Sequence, residues 1–438
     1  MKKTAVKIIS FVIVLAIGVS VLAGCASSKV MAGCSSSKVM TLNVDGKEYS
    51  ATLGEYLTFM KITKMNLFCY TLGLTKSYDS VIWNVTVNGT DQTYEQYYSN
   101  YVRSLMQTAV IEKYLFDKYG LELSAATLAT YKQNIKTLNN NYGGAGAYKQ
   151  YFGYTAKNYY NYYQAASDRS KMIVEYLYTG TDAKDPVTDA EKEAYYNENY
   201  KTFQCIALDM NNKIQRDDEG HYIGVDSSSN EYILSIVVSE DGTVKIDNLG
   251  RVDGTETDLT KVTVTGFKTA ALTDEEKEEK GTLADVIIAS LDENDGANFK
   301  DLMLEYSDLY ANYYYEEGLI ISSDGYIVNN ANVMEKVNAL EIGEYTEALS
   351  VSDGEYTYII KRVESPEKAY DTDEYKDLFT DYDNVVTDYK YGLLLDQYRD
   401  KIVVDDATIS KYTMAGTFLT DYVDYYRNLL ASLTGLGS

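Results

Sequence analysis

Apolar residues recur with a helical period through most of the first 200 positions of this chain. A capping-box pattern at Thr93 and Gln96 marks the start of the clearest helix. The apolar positions after it lie three or four residues apart: Tyr94, Tyr97, Tyr101, Leu105 and Ala109. The same spacing predicts helices over about 53–72, 124–138 and 155–178. We therefore expect the first part of the chain to be mostly helical.

The pattern changes after a second capping box, formed by Thr188 and Glu191. Period-two alternation and turn signals predict strands over about 203–210, 232–238, 243–246, 261–265, 347–351 and 356–363. Helical spacing returns over 273–291, over 298–307 and from about 373 to the end, with a break near 402–408. This order predicts an α+β protein in which a mostly helical domain, made of N-terminal helices and a C-terminal helix, is interrupted by an inserted α+β domain.

The first 25 residues have the pattern of an export signal. Lysines at positions 2, 3 and 7 precede an apolar run over 8–17, which is short for a membrane-spanning helix. The segment ends in Leu22-Ala23-Gly24-Cys25, which resembles the lipobox of bacterial lipoproteins. This resemblance implies cleavage before Cys25, acylation of its thiol, and a lipid-anchored location on the extracytoplasmic face of the cell membrane. The alternative is an ordinary secretory signal with an incidental cysteine.

A duplicated segment comes after the lipobox. Residues 25–31 recur nine positions later as residues 34–40, and small polar residues suit a flexible tether over 25–40. The repeat creates a weaker lipobox before Cys34. Because no apolar run directly precedes Cys34, a tether is favoured over a second acylation site.

Composition and charge exclude several classes of function. Without the three signal lysines, 37 basic residues remain against 65 acidic ones, for a net charge of −28. Nucleic acid is therefore not an expected partner, since its binding relies on Lys and Arg at the phosphates. The single histidine, His221, argues against a multi-histidine metal site and a His-based triad. We predict no cofactor and no metal.

Several segments resemble PrsA/SurA-type extracytoplasmic foldases in their order along the chain. Residues 187–203 are similar to the junction where that family passes from a helical chaperone region into a parvulin-type peptidyl-prolyl isomerase domain. Later segments look like the parvulin helix and its ending (298–308), its glycine (Gly318), its Leu-x-x-Gly-Glu turn (339–346) and its final strand (356–363). The resemblance covers about residues 40–410.

The resemblance implies a division of the chain into domains. They are a signal peptide (1–24), the tether (25–40), a helical chaperone domain (41–200), a parvulin-like domain (201–366) and a C-terminal helical segment that returns to the chaperone domain (367–438). An extra stretch over about 211–272 is expected to add β-structure to the parvulin-like domain. The tail from about residue 413 extends past the part that resembles the family.

The parvulin-like segment departs from its family at the catalytic positions. Parvulins usually carry one histidine on the first strand and another on the last, around a small apolar proline pocket. Those positions fall here at Cys205 or Ile206 and at Tyr358, whereas His221 lies in the extra stretch. The histidines that the resemblance would place at the site are therefore absent from these positions.

Without those histidines, isomerase activity depends on other pocket residues. The family's pocket methionine and phenylalanine fall near Asn329 and Val333, next to Met334. The candidate pocket residues are Cys205, Val333, Met334 and Tyr358. Isomerisation lowers a barrier of about 18–20 kcal/mol without a covalent step, so apolar walls with thiol or hydroxyl donors can serve. The favoured interpretation is a degenerate module in which Cys205 and Tyr358 are simply strand residues; peptidyl-prolyl isomerase activity is the alternative and is left open.

Tyrosine is the most unusual component, with 45 residues that often lie in clusters. Its large apolar face and polar tip suit either a wet binding surface or the packing of helices against each other. Tyr97, Tyr101, Tyr159 and Tyr163 are candidate anchors for unfolded or newly exported proteins. The lipobox and the segments that resemble the foldases together imply a membrane-anchored extracytoplasmic foldase or chaperone with a degenerate parvulin-like module. The alternatives are an active isomerase and a peptide- or glycan-binding surface lipoprotein.

Overall fold

The computed structural model describes residues 36–434 apart from 89, 240–242, 316, 324 and 352–353. These residues form an α+β protein with two compact units. The sheet unit spans residues 189–380, and the helical unit combines residues 36–188 with 381–434. The predicted signal peptide, Cys25 and Cys34 lie outside the described residues.

The helical unit begins with a hairpin and continues as helices. Strands β1 (Lys38–Val44) and β2 (Lys47–Thr52) pair antiparallel across a turn at Asp45 and Gly46, both of which have positive φ. The helices are α1 (Leu53–Asn66), α2 (Tyr94–Lys118), α3 (Ala125–Asn141), α4 (Ala145–Phe152), α5 (Ala156–Asn158) and α6 (Ala165–Val174). Turns of π-helix at Leu67–Thr71, Tyr159–Gln164 and Glu175–Thr179 extend α1, α5 and α6. Helix α2 starts at the predicted capping box.

The sheet unit is built on one long strand, β3 (Tyr200–Asp209), which comes directly after α7 (Asp189–Asn199). The extra stretch then adds β4 (Asn212–Ile214), β5 (Tyr222–Asp226), β6 (Glu231–Val238), β7 (Val244–Arg251), β8 (Val264–Phe267) and β9 (Thr269–Ala271). The remaining elements are α8 (Asp274–Glu293), α9 (Phe299–Tyr306), β10 (Leu319–Ser322), α10 (Ala331–Asn338), β11 (Leu349–Val351) and β12 (Tyr356–Val363). The central sheet has the order β10-β3-β12-β11 with all neighbours antiparallel.

The extra stretch forms two sheets of its own, with the orders β7-β6-β5-β8 and β4-β9. The strand predicted over 261–265 begins later, at Val264. The reason is a 3-10 turn over Leu259–Lys261, in which the Asp258 carboxylate accepts from the N–H of Thr260.

Alternation along β3 gives the central sheet two different apolar faces. On one face, Phe203, Cys205 and Ala207 pack with α10 and β11. On the other, Ile206 and Leu208 pack with α8, α9 and apolar side chains of the extra stretch. The extra stretch therefore covers the face opposite Cys205.

After residue 380 the chain returns to the helical unit as α11 (Tyr382–Arg399), β13 (Ile402–Val404), α12 (Asp406–Ile409) and α13 (Tyr422–Thr434). Strand β13 pairs with β1, where Ile402 lies opposite Leu42. Residues from both parts of the unit share one hydrophobic core.

The two units divide at 188/189 and 380/381, whereas the sequence placed the boundaries at 200/201 and 366/367. Helix α7 belongs to the sheet unit because Tyr196 stacks on Tyr200, with ring centroids 5.6 Å apart, and lies 5.9 Å from the ring of Phe379. These aromatic contacts bring both ends of the inserted segment to the start of β3.

Candidate functional sites

The four candidate pocket residues lie together in the sheet unit. Cys205 on β3 and Tyr358 on β12 occupy adjacent antiparallel strands. Val333 and Met334 on α10 belong to the same apolar cluster. Of the two residues that the sequence offers for the first-strand position, Cys205 faces this cluster and Ile206 faces away from it.

Cys205 is a core residue rather than an accessible donor. Its side chain is 0% exposed, and burial raises the pKa of the thiol to about 12. Tyr358 is half-buried, and burial followed by the neighbouring Cys205 raises its pKa to about 12. Both groups are therefore protonated at neutral pH, and Tyr358 is partly accessible to solvent whereas Cys205 is not.

The segment after α9 is hydrogen-bonded to β3 beside Cys205. The Ser307 hydroxyl accepts from the N–H of Ala207 at 3.0 Å, and the N–H of Asp308 donates to the carbonyl of Ala207 at 2.8 Å. The side-chain amide of Asn312 donates to the carbonyl of Cys205 at 2.7 Å. These bonds position the strand that carries the candidate pocket residue.

Two other residues that the sequence singles out lie outside the cluster. The side chain of His221 is in the extra stretch, where its Nδ1 is 3.1 Å from a carboxylate oxygen of Asp217. Asn329 is exposed, and its neighbour Val328 packs into the cluster instead. The resemblance to the family placed the pocket position near Asn329, one residue after Val328. A shift of one residue changes which side chain is buried, so Val328 was missed.

A second candidate site, in the helical unit, begins with the tyrosines of α2. Tyr97 and Tyr101 are partly exposed and both contact Tyr98, at centroid distances of 5.2 and 6.2 Å. Tyr98 also stacks on Tyr94 at 6.1 Å. Because residues three and four apart lie on the same side of a helix, these rings form a continuous aromatic strip.

The π-helical turn Tyr159–Gln164 carries the other half of this site. The rings of Tyr159 and Tyr163 are 5.7 Å apart, and Tyr163 contacts Phe59 of α1 at 5.2 Å. Tyr159 also lies 6.2 Å from Tyr154 in a stacked arrangement. Tyr163 is therefore packed against the core, whereas Tyr159 is partly exposed.

The hydroxyls of Tyr101 and Tyr163, one from each half, are close enough to interact electrostatically. Burial, then the hydroxyls of Tyr159 and Tyr101, raises the pKa of Tyr163. Burial, then the neighbouring Tyr160 and Tyr70, raises the pKa of Tyr159 to about 12. The side chain of Tyr70 is 48% exposed. We define the tyrosine surface as Tyr70, Tyr94, Tyr97, Tyr98, Tyr101, Tyr159 and Tyr163. It offers aromatic area and hydroxyl donors to the side chains and carbonyls of an extended polypeptide.

All four tyrosines proposed from the sequence lie in this surface, but the sequence pattern did not single out Tyr70. The sequence feature that could have identified Tyr70 is its position at the end of the predicted helix 53–72, where a ring can extend past the core.

Within the described ranges, no group of three or more His, Cys, Asp or Glu side chains is arranged to hold a metal ion. In the same residues, no helix combines the length and apolar character needed to cross a bilayer.

No protein-family model and no curated protein match the chain. Among solved structures, the chain is similar to the crystal structure of PrsA from Bacillus subtilis, with 16% identity, coverage of 74% of this chain and 91% of that one, and a TM-score of 0.20. It is also similar to foldase protein PrsA from Streptococcus pneumoniae, with 16% identity, coverage of 70% and 85%, and a TM-score of 0.19. At these TM-scores neither structure superposes on the whole chain, and both candidate sites rest on the residues of this chain alone.

Proposed function

We propose that this protein is a membrane-anchored extracytoplasmic foldase or chaperone that holds unfolded exported proteins on its helical unit. The observation that carries the proposal is the tyrosine surface, in which partly exposed rings contact one another along α2 and, separately, along the π-helical turn. Such a surface contacts many sequences because it combines apolar area with adaptable hydroxyl groups. The net charge of −28 favours cationic clients.

We propose further that the parvulin-like module is degenerate as an isomerase. Two hydrogen bonds join its 339–346 turn to its last strand: the N–H of Gly343 donates to the carbonyl of Arg362 at 2.8 Å, and the N–H of Arg362 donates to the carbonyl of Glu344 at 2.9 Å. The first-strand donor candidate, Cys205, is sealed inside the core. The turn is bonded to its strand while the donor candidate is inaccessible, and both observations support a structural or binding role for the module.

The refolding of a proline-limited client tests both parts of the proposal. The mature chain is added at catalytic and then at stoichiometric amounts. We expect only stoichiometric amounts to raise the refolded yield, while the slow phase of tens to hundreds of seconds keeps its rate. Acceleration of that phase by catalytic amounts would establish an active isomerase instead. No effect at either amount would favour the peptide- or glycan-binding alternative.

The tyrosine surface is tested by the triple variant Tyr97→Ser, Tyr101→Ser and Tyr159→Ser, which leaves Tyr163 in the core. Loss of three aromatic contacts is expected to weaken client binding about tenfold or more. The control is Tyr326→Ser, an exposed tyrosine of the sheet unit. Equal client affinity for the triple variant and the control would contradict the proposal.

A further inference from the structure

The tail, residues 413–434, is held to the helical unit through its main chain. The Nζ atom of Lys64, whose side chain is 1% exposed, donates to the carbonyls of Met414 at 2.8 Å and Thr417 at 2.5 Å. The carboxylate of Glu95 accepts from the N–H groups of Met414 and Ala415, both at 2.7 Å. One cation and one anion therefore bind the carbonyls and amides of the same short segment.

The side chains of the tail reach both the core and the tyrosine surface. Four of them are buried in the core of the helical unit: Met414, Leu419, Tyr422 and Val423. The ring of Tyr426 lies 5.1 Å from that of Tyr70 in an edge-on contact. Because Tyr70 belongs to the tyrosine surface, the tail contacts the same aromatic groups that are proposed to hold clients.

Lys64 and Glu95 also have partners outside the tail. Lys64 Nζ also pairs with the Asp79 carboxylate at 2.6 Å and lies 4.9 Å from the centre of the Trp83 ring. The Glu95 carboxylate also accepts from the Ser99 hydroxyl at 2.9 Å. The same two charges can bind another main chain, since every polypeptide carries the same carbonyl and N–H groups.

We infer that the tail is a built-in ligand of the helical unit, and that an unfolded client displaces it. The inference rests on the proposed function and adds the binding groups Lys64, Glu95 and Tyr70, each of which contacts the tail. Its ligand class is a main-chain turn, as at Thr413–Thr417 of the tail, with an aromatic side chain farther along. The tail also lies beyond the segments that resemble the foldases, so these contacts are additional to that resemblance.

Hydrogen exchange on the mature chain tests the displacement. The probe is reduced and alkylated lysozyme, a permanently unfolded cationic protein. Saturating probe is expected to speed exchange at Met414, Ala415 and α13 by about tenfold or more, while the β1–β2 hairpin keeps its protection. If the probe binds and the tail amides stay equally or better protected, the inference is wrong and the proposed function stands. If the probe does not bind, both are wrong.

A pair of variants on one helix measures the competition. Tyr426→Ser removes the contact with Tyr70 but leaves Lys64 and Glu95 unchanged. It is expected to tighten probe binding about fivefold, because the client competes with a weaker tail. Tyr425→Ser, a change of the neighbouring exposed tyrosine, is the matched control and is expected to leave the affinity near that of the parent. Unchanged or weaker probe binding by the Tyr426 variant would overturn the inference.

Discussion

The side chains of Cys205 and Ile206 point to opposite faces of the central sheet, because successive residues of a strand alternate. The thiol is buried beside α10, and Ile206 packs against α8 and α9. Tyr358 is the most exposed of the four pocket candidates. At the scale of single residues, the burial of Cys205 thus fits a module that stays folded but is proposed to have lost isomerase activity.

Gly318 is a residue that the sheet unit cannot replace without strain. Its φ is +129°, and an added Cβ would lie 2.8 Å from Cγ2 of Thr202 and 3.0 Å from the carbonyl oxygen of Phe203. We expect Gly318→Ala to lower the free energy of unfolding of the sheet unit by about 2 kcal/mol or more, measured by urea denaturation with circular dichroism.

The control for this glycine is Gly281→Ala, at an exposed position inside α8 with open space around it. Alanine favours a helix there and should leave stability equal or raise it by up to about 1 kcal/mol. Equal stabilities for the two variants would show that the close approach at Gly318 relaxes at no cost.

Cys25 is proposed to carry the lipid anchor. Cys25→Ser removes the thiol that is acylated, so the protein should leave the membrane fraction of cells that produce it. Cys34→Ser is the matched control and should remain in the membrane fraction, since its lipobox-like segment lacks a preceding apolar run. Immunoblots of membrane and soluble fractions measure the difference. Release by the Cys34 variant alone would instead assign the anchor to the repeat.

At the scale of elements, three helices of the helical unit meet at a buried carboxyl group. Glu112 of α2 is 2% exposed and accepts from the hydroxyl of Tyr391 on α11 at 2.9 Å. Burial raises the pKa of Glu112 to about 7, although Arg169 and the hydrogen bonds from Tyr391 and Ser170 act in the opposite direction. The protonated acid is therefore the form that the packed helices favour.

This carboxyl group makes the stability of the helical unit depend on pH. Because its folded pKa lies above the ordinary value of 4.5, its contribution is full below about pH 4.5 and is lost as the pH rises through 7. The difference amounts to about 3 kcal/mol. Unfolding monitored by fluorescence of Trp83, the single tryptophan, should show this loss between pH 4.5 and 8 in the parent but not in Glu112→Gln.

The exposed carboxylate of Glu122, in the same unit, provides the control. Glu122→Gln should keep the pH dependence of the parent. If Glu112→Gln and the parent lose stability in parallel, the buried carboxyl group does not titrate in this range.

At the scale of the whole molecule, the net charge of −28 acts on every client. We expect the affinity for unfolded cationic lysozyme to fall several-fold as ionic strength rises from about 50 to about 500 mM, because salt screens charge attraction. Binding of an unfolded acidic protein should strengthen or stay constant over the same range. Titration with labelled clients measures both, and equal salt dependence would exclude charge as a determinant of client choice.

The sequence by itself determined the local structure and the overall charge. The capping box at Thr93 and the helical spacing of Tyr97 and Tyr101 each depend on residues a few positions apart. The α+β class is set by the same local signals. Charge and composition need no structure at all.

Only the tertiary structure decided which distant segments share a site. It placed Tyr426 against Tyr70, joined Lys64 to the main chain at Met414, and enclosed Cys205 between strand and helix. The physical reason is that burial and pairing arise when elements far apart in sequence pack together, and the periodicity within one element does not specify the partner of its exposed face.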